Sequence, residues 1–240
     1  MADWPPALGR VVLDSVDSTN AEALRRAGQG DMWILTHAQP AGVGRRGKAW
    51  EMPEGNFAAS LLMHSDEPLP ALAQRSFIAA LALFDVLSKL GVSDISLKWP
   101  NDVLVHGRKL AGILLTATPG TIVVGIGVNL AASPHPASLP EDATAPIHLG
   151  EVLHSPPDPE TFLNLLASAF QRFELQMRNY GFTPIRETWL SHAARLGEVI
   201  HARLPGRTES GTFETIDETG ALVLRTAKGR ITLPAAEVFF

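Results

Sequence analysis

Two stretches of the sequence carry residues whose types and spacing could do chemistry. The first is GVGRRG at residues 42–47, followed by Lys48, so that Arg45, Arg46 and Lys48 crowd into one short segment. Glycines let backbone N–H groups approach a ligand closely, and three cations supply charge, which together suit an anion. The glycine spacing G-x-G-x-x-G is also that of a dinucleotide-binding turn, which must sit between a strand and a helix. That context is missing. Pro40 interrupts the approach, and KAWEMPEGN follows, in which Pro53, Gly55 and Asn56 oppose a helix. At this point the string is either an anion-binding loop or a solvated basic loop.

The second stretch is SLKWPND at residues 96–102, followed by KLAG at 109–112. Lysine occurs only at 48, 89, 98, 109 and 228, and three of these five lie in or beside the two motifs. Pro100 and Asn101 would form a turn, and a hairpin after it would carry Lys109 back along the strand leaving Asp102. A carboxylate beside an ammonium holds it extended and charged, which aims it at a phosphate or a developing oxyanion. Taken alone, WPND is also readable as a plain proline turn, and Lys98 as a solvent-facing strand residue. Asn129 in GIGVNL is either a turn-forming strand end or an amide offered to a ligand. Ser18, Thr19 and Asn20 are by default a helix N-cap, although hydroxyls at a helix start facing a pocket can hold a polar ligand head.

Other chemistries are excluded by what the chain lacks. There is no cysteine, hence no disulfide framework, thiolate nucleophile or Cys-based zinc site. The eight histidines show no metal-ligand spacing, so no protein-held metal is expected. Neither a G-x-S-x-G elbow nor a P-loop is present.

These motifs need elements to position them. Residues 11–17 and 32–36 read as strands, with a helix between them that opens on a Thr19/Glu22 capping box and closes at Gly28. A strand at 57–63 precedes a helix from about 71 to 90. Strands follow at 95–99, 103–105, 110–116 and 121–128, the middle two forming a hairpin turning at His106-Gly107. A Pro, Ala and Ser-rich stretch at 131–147 reads as a surface connection or a mobile lid. Phe162, Leu165, Leu166, Ala169, Phe170 and Phe173 then mark an amphipathic helix. From Gly197 short alternating strands separated by LPGR, DETG and AKGR turns predict a small antiparallel barrel, with a boundary near Ala194.

At 240 residues and 45% hydrophobic content, the chain can bury one sizeable core and a small second one. Its net charge of −5 argues against a protein that coats nucleic acid or an anionic membrane. The N-terminus lacks a signal-peptide pattern, and the most apolar helix candidate is short and broken by Asp85, so a cytoplasmic location and no membrane are expected.

In their order and spacing, DSTN (17–20), QPAGVGRRGKAW (39–50), GN (55–56), KWPND (98–102), KLAGIL (109–114) and GIGVN (125–129) resemble the biotin protein ligases. The resemblance covers about residues 10–130 in motifs, and the terminal barrel fits that family's SH3-like domain. It implies an α+β fold, a mixed sheet with helices packed on one side like the core of class II aminoacyl-tRNA synthetases. The domains would be residues 1–194, catalytic, and 195–240, SH3-like.

The implied reaction has two steps. Biotin's carboxylate attacks the α-phosphate of MgATP to give biotinyl-5′-AMP and pyrophosphate, and a lysine of a biotin carboxyl carrier protein then takes the biotinyl group. Arg45 and Lys109, with Asp102, are the implied catalytic residues. Ser18, Thr19, Gln39, Gly42, Arg45 and Gly112 would hold biotin. Arg46, Lys48, Trp50, Asn101, Lys109 and Asn129 would hold the nucleotide. The glycine loop would then be a flap, mobile when empty, that shields the reactive adenylate from water.

One position departs from the family's frequent GRGRRG: Val43 stands where the first arginine would be, which predicts weaker biotin binding or faster adenylate escape. The stretch before Val11 leaves no room for the winged helix-turn-helix of some members, so DNA binding is not expected. An exposed edge strand could make a homodimer. A lipoate or octanoate ligase or transferase of the same fold, and a non-catalytic biotin or nucleotide sensor, are the rival readings.

Overall fold

The computed structural model describes residues 4–135, 139 and 143–240. Seven strands form a mixed sheet: β1 (Gly9–Leu13), β2 (Met32–Thr36), β3 (Phe57–His64), β4 (Ile95–Lys98), β5 (Asp102–Val105), β6 (Arg108–Thr118) and β7 (Thr121–Val128), in the order β1-β2-β3-β7-β6-β5-β4. Only β1 and β2 are parallel. The β5–β6 hairpin turns at His106 and Gly107, both at positive φ, which is the two-residue turn whose twist matches paired strands. The first strand lies two residues earlier than expected and ends at Leu13, before the DSTN motif.

The helices are α1 (Thr19–Arg25), α2 (Leu69–Ala73), α3 (Arg75–Lys89), α4 (Pro159–Tyr180) and α5 (Phe182–Ser191). The helix expected at 71–90 starts at Leu69 and tightens at Gln74, whose N–H donates to Ala71 O three residues back. The run Leu69–Lys89 is long and apolar enough by composition to span a bilayer, but most of it is buried. Leu72, Ile78, Leu81 and Leu87 pack into the same core as Phe162, Leu166 and Phe170 of α4, each such side chain contributing about 2 kcal/mol. Inside that interface Arg75 reaches Glu174 at 3.0 Å and also contacts Glu67, so neither buried charge is left unpaired.

Strand alternation assigns the two faces of the sheet. Trp33 and Leu35 of β2 join the core under α3 and α4, whereas Met32 and Ile34 pack with Ala23 of α1 on the opposite face. Helices therefore lie on both sides, which corrects the one-sided packing expected. Among the described residues the one helix on the second face is the seven-residue α1, and the sheet beside it is the floor of a site.

The C-terminal strands β8 (Val199–Leu204), β9 (Arg207–Ile216), β10 (Leu222–Thr226), β11 (Gly229–Leu233) and β12 (Glu237–Phe239) form an antiparallel sheet in the order β11-β10-β9-β8-β12. It has no separate core. Phe213, Leu222 and Val238 belong to the same buried cluster as the large sheet. Trp99 Nε1 donates to Gly220 O at 3.0 Å, and a side chain at Gly220 would collide with the Phe77 ring. The β4 edge is also closed, since Leu97 exchanges backbone hydrogen bonds with His192 and Ala194.

Candidate active site

The floor of the site is one cross-strand row. Thr36, Ala58, Gly127, Gly112, Asp102 and Lys98 are successive register partners across β2, β3, β7, β6, β5 and β4. The middle of this row is small because something must lie on it. A Cβ at Gly127 would stand 2.3 Å from Trp50 Cε2, and one at Gly112 would stand 3.0 Å from Trp50 Cζ3. The indole thus rests on glycine, in a cavity of about 440 Å³ of the size that takes a small ligand.

Charge gathers at one end of the row, at Asp102 and Lys98, and beside it at Lys109. Lys109 Nζ stands 2.7 Å from Asp102 Oδ1 and 5.7 Å from the centre of the Trp50 ring. Asp102 Oδ1 is buried with no well-aligned hydrogen bond, so the ammonium beside it is what compensates its charge. Asn101 lies in the turn between β4 and β5, next to Asp102. Its Nδ2 donates to Ile113 O at 2.8 Å, which fixes its Oδ1 to accept from Arg45 Nη1 at 3.3 Å. Arg45 also donates to Ala236 O at 3.3 Å. Burial and the neighbouring Arg46 push the Arg45 pKa down, yet a guanidinium remains protonated at any working pH.

Residues 42–50 form a tight hairpin and not a helix entry. Val43 bridges Ala49, Gly44 N–H donates to Lys48 O, and Trp50 N–H donates to Gly42 O. Arg46 sits at φ 58° at its tip. Beyond Arg45, the charges of this hairpin are met by Glu237 of β12: Arg46 Nη1 lies 3.0 Å and Lys48 Nζ 2.6 Å from its two oxygens.

On the opposite wall, Ser18 precedes α1 and Thr19 opens it, but the expected capping box is absent. The Thr19 hydroxyl donates to Gln39 Oε1 at 3.2 Å and accepts from Ser60 Oγ at 2.9 Å, while Glu22 pairs with Arg25 and Arg26. The hydroxyl that would cap the helix is instead part of a polar chain at the cavity wall.

The cavity is lined by Ser18, Thr19, Gln39, Arg45, Arg46, Lys48, Trp50, Asn101, Asp102, Lys109, Gly112 and Asn129. Of the residues singled out from sequence, Gly42 alone does not line it. Its missing Cβ makes room for Gln39 Nε2 and Trp50 O, each 2.6 Å from where that atom would be, so it shapes the wall from behind. Asn129 is buried, and its Nδ2 donates to Ile147 O at 3.1 Å, tying the 145–149 segment to the strand that carries Lys109.

Lys98 is not solvent-facing. It is 7% exposed, with Nζ donating to Thr144 Oγ1 at 2.7 Å and lying 4.9 Å from the Phe240 ring centre. Sequence reading also missed Asn20, Ser60 and Glu237. Asn20 was visible in the DSTN string; its amide faces Gly125, and neither its Oδ1 nor its Nδ2 has a hydrogen-bond partner among the described residues. Ser60 and Glu237 lie in runs that carry no motif. The stretch read as a connection or lid at 131–147 falls partly at 136–138 and 140–142, outside the described residues.

A mixed sheet whose open face carries paired cations over a glycine floor, abutted by a small terminal sheet, defines the class. The chain belongs to the Biotin/lipoate A/B protein ligase family, matched over residues 12–132, and residues 196–240 match the Biotin protein ligase C terminal domain. It is 50% identical to the biotin–[acetyl-CoA-carboxylase] ligase of Paracoccus denitrificans, over 95% of this chain and 99% of that one. The corresponding ligase of Mycobacterium tuberculosis is 29% identical over 95% of this chain and 87% of its own. The fold is that of the Aquifex aeolicus biotin protein ligase, whose structure holds biotin and ATP, with a TM-score of 0.84 at 23% identity over 96% of this chain and 97% of that one.

Proposed function

We propose that this chain is an ATP-dependent biotin–[acetyl-CoA-carboxylase] ligase that makes biotinyl-5′-AMP and passes the biotinyl group to a carrier lysine. The observation that carries the reading is convergence: Arg45 from the hairpin and Lys109 from the sheet line one cavity over a glycine floor. In the first step a carboxylate oxygen forms a bond to the α-phosphorus as the bond to the pyrophosphate oxygen breaks. Two anions must meet, and in a partly dry site their repulsion is large unless fixed cations offset it. Lys109, aimed by Asp102, and Arg45, aimed by Asn101, supply those charges where the pentavalent phosphorus gathers negative charge.

Among the described residues no group of three or more His, Asp or Glu could cage a metal. Magnesium is assigned to the substrate, arriving on the phosphates of MgATP. Ser18, Thr19, Gln39 and Gly112 are assigned to the biotin ring system, and Arg46, Lys48, Trp50, Asn101 and Asn129 to the nucleotide. For Asn129 the assignment is mainly positional, because its amide N–H groups already serve backbone carbonyls. In the second step a carrier amine attacks the acyl carbon, AMP leaves, and an amide remains. The carrier is the biotin carboxyl carrier protein of acetyl-CoA carboxylase or a related carboxylase. A cysteine-free chain that consumes ATP fits the cytoplasm. Residues 1–194 are assigned to catalysis and 195–240 to the terminal module.

The test is ATP–pyrophosphate exchange with biotin or lipoate, followed by transfer of labelled biotin to a carrier domain. Exchange with biotin alone and labelling of one lysine are expected. Exchange with lipoate alone would make the chain a lipoate ligase, and binding without exchange would make it a sensor.

A further inference from the structure

The flap cations have a counter-ion supplied by the protein itself. Glu237 on β12 meets Lys48 at 2.6 Å and Arg46 at 3.0 Å, with Arg203 of β8 at 3.9 Å from the same carboxylate. The hydrogen bond from Lys48 holds its carboxyl below the usual range. One residue earlier, Ala236 O accepts from Arg45. All three basic side chains of the hairpin are thus gripped by two consecutive residues, 189 to 191 positions away in sequence. Glu237 and Val238 also line the cavity.

From this geometry we infer that Glu237 is an internal stand-in for the polyphosphate, a latch that holds the hairpin closed while the nucleotide phosphates are absent and gives way to them when they bind. The inference rests on the reading of this hairpin as the flap that faces the phosphates. The strength of the latch suits exchange. Arg46, Lys48 and Glu237 keep 43%, 51% and 33% of their side-chain surface in solvent, so the pairs are screened and weak. A single carboxylate cannot outcompete a triphosphate that brings several negative charges to the same three cations, but it can rejoin Arg46 and Lys48 once pyrophosphate has left. The flap is then shut over the adenylate at the stage when water must be excluded.

Glu237 is accordingly a positioning residue, and a role in folding alone would not move its readout. Calorimetric titration of the full chain with inorganic tripolyphosphate compares wild type, Glu237→Gln and Glu237→Asp. The probe contains neither biotin nor adenine, so the outcome stands whether or not the chain adenylates biotin. Removing the competing charge is expected to tighten tripolyphosphate binding about three- to tenfold in Glu237→Gln, with Glu237→Asp between it and wild type. In the full reaction, Glu237→Gln is expected to release several-fold more free biotinyl-5′-AMP per carrier labelled. Equal or weaker tripolyphosphate binding in the folded variants overturns the latch; should Glu237→Gln not fold, Glu237→Asp alone decides it by the same criterion.

Discussion

The two cationic segments of the cavity solve the same electrostatic problem in opposite ways. Lys109 is mounted on a strand bonded on both sides within the sheet, and its partner Asp102 comes from the adjoining strand of the same hairpin. Its direction is set by backbone paired with Leu104 of β5 on one side and hydrogen-bonded to Ala145 and Ile147 on the other. Arg46 and Lys48 ride on a nine-residue hairpin, residues 42–50, whose charges are held by a carboxylate from the terminal sheet. A fixed cation suits charge that develops at one atom during a reaction, since no reorganisation is then needed. Movable cations suit a task with an open and a closed state. Arg45 stands between the two, carried by the hairpin but tied to Asn101 of the sheet.

This division is broken most directly at Lys109. Lys109→Ala removes the fixed charge while leaving the flap intact, and biotin-dependent exchange is expected to fall about 10²–10³-fold. The loss should appear in kcat, with a smaller effect on KM for biotin. A loss confined to KM would show that Lys109 binds ground-state substrate and nothing more. The next largest effect is expected from the floor. In Gly127→Ala the new methyl would lie 2.3 Å from Trp50 Cε2, so the indole or the strand must give way. Overpacking of this kind costs about 1–3 kcal/mol. The expected result is a KM for ATP raised about tenfold, with kcat changed much less. An unchanged KM would show that the ring lying on this floor is not in the ligand's way.

Much of the rigid half was legible beforehand, and the reasons are local. The β5–β6 hairpin is declared by alternation and by His106-Gly107, and it puts Lys109, opposite Leu104, on the same face as Asp102. What joins distant segments was not legible. Strand β12 has three residues, too few to show a period, so the Glu237 contact had no signal. Helix α5 has no motif to announce it; its Pro184 falls in the first helical turn, where proline is tolerated, and Ile185 and Trp189 bury one turn apart. Taken alone, Lys98 reads as a solvent-facing strand residue, because nothing local reveals that Thr144 and Phe240 cover it. The T-x-x-E box at Thr19 failed for a similar reason, because Gln39 and Ser60 offer that hydroxyl better partners than the helix end.

The smallest effect is expected at Val43, where it sharpens the contrast between fixed and movable charge. Val43 is 48% exposed, lines the cavity and bridges Ala49, so its side chain can be enlarged without disturbing the core. Val43→Arg would add a guanidinium to the flap with no sheet residue to orient it, unlike Arg45. A charge-assisted hydrogen bond to the biotin carboxylate or the adenylate phosphate then forms only while the flap is closed. Such a bond cannot stabilise a transition state that the fixed cations already serve, so kcat for exchange should stay within about twofold. Dissociation of biotin and escape of the adenylate should slow by about three- to tenfold, the size of one charge-assisted bond partly offset by side-chain ordering. Equal dissociation rates in the two proteins would dispose of the idea that the native valine loosens retention. A large rise in kcat would blur the division itself, because a flap cation would then be acting on the reacting phosphorus.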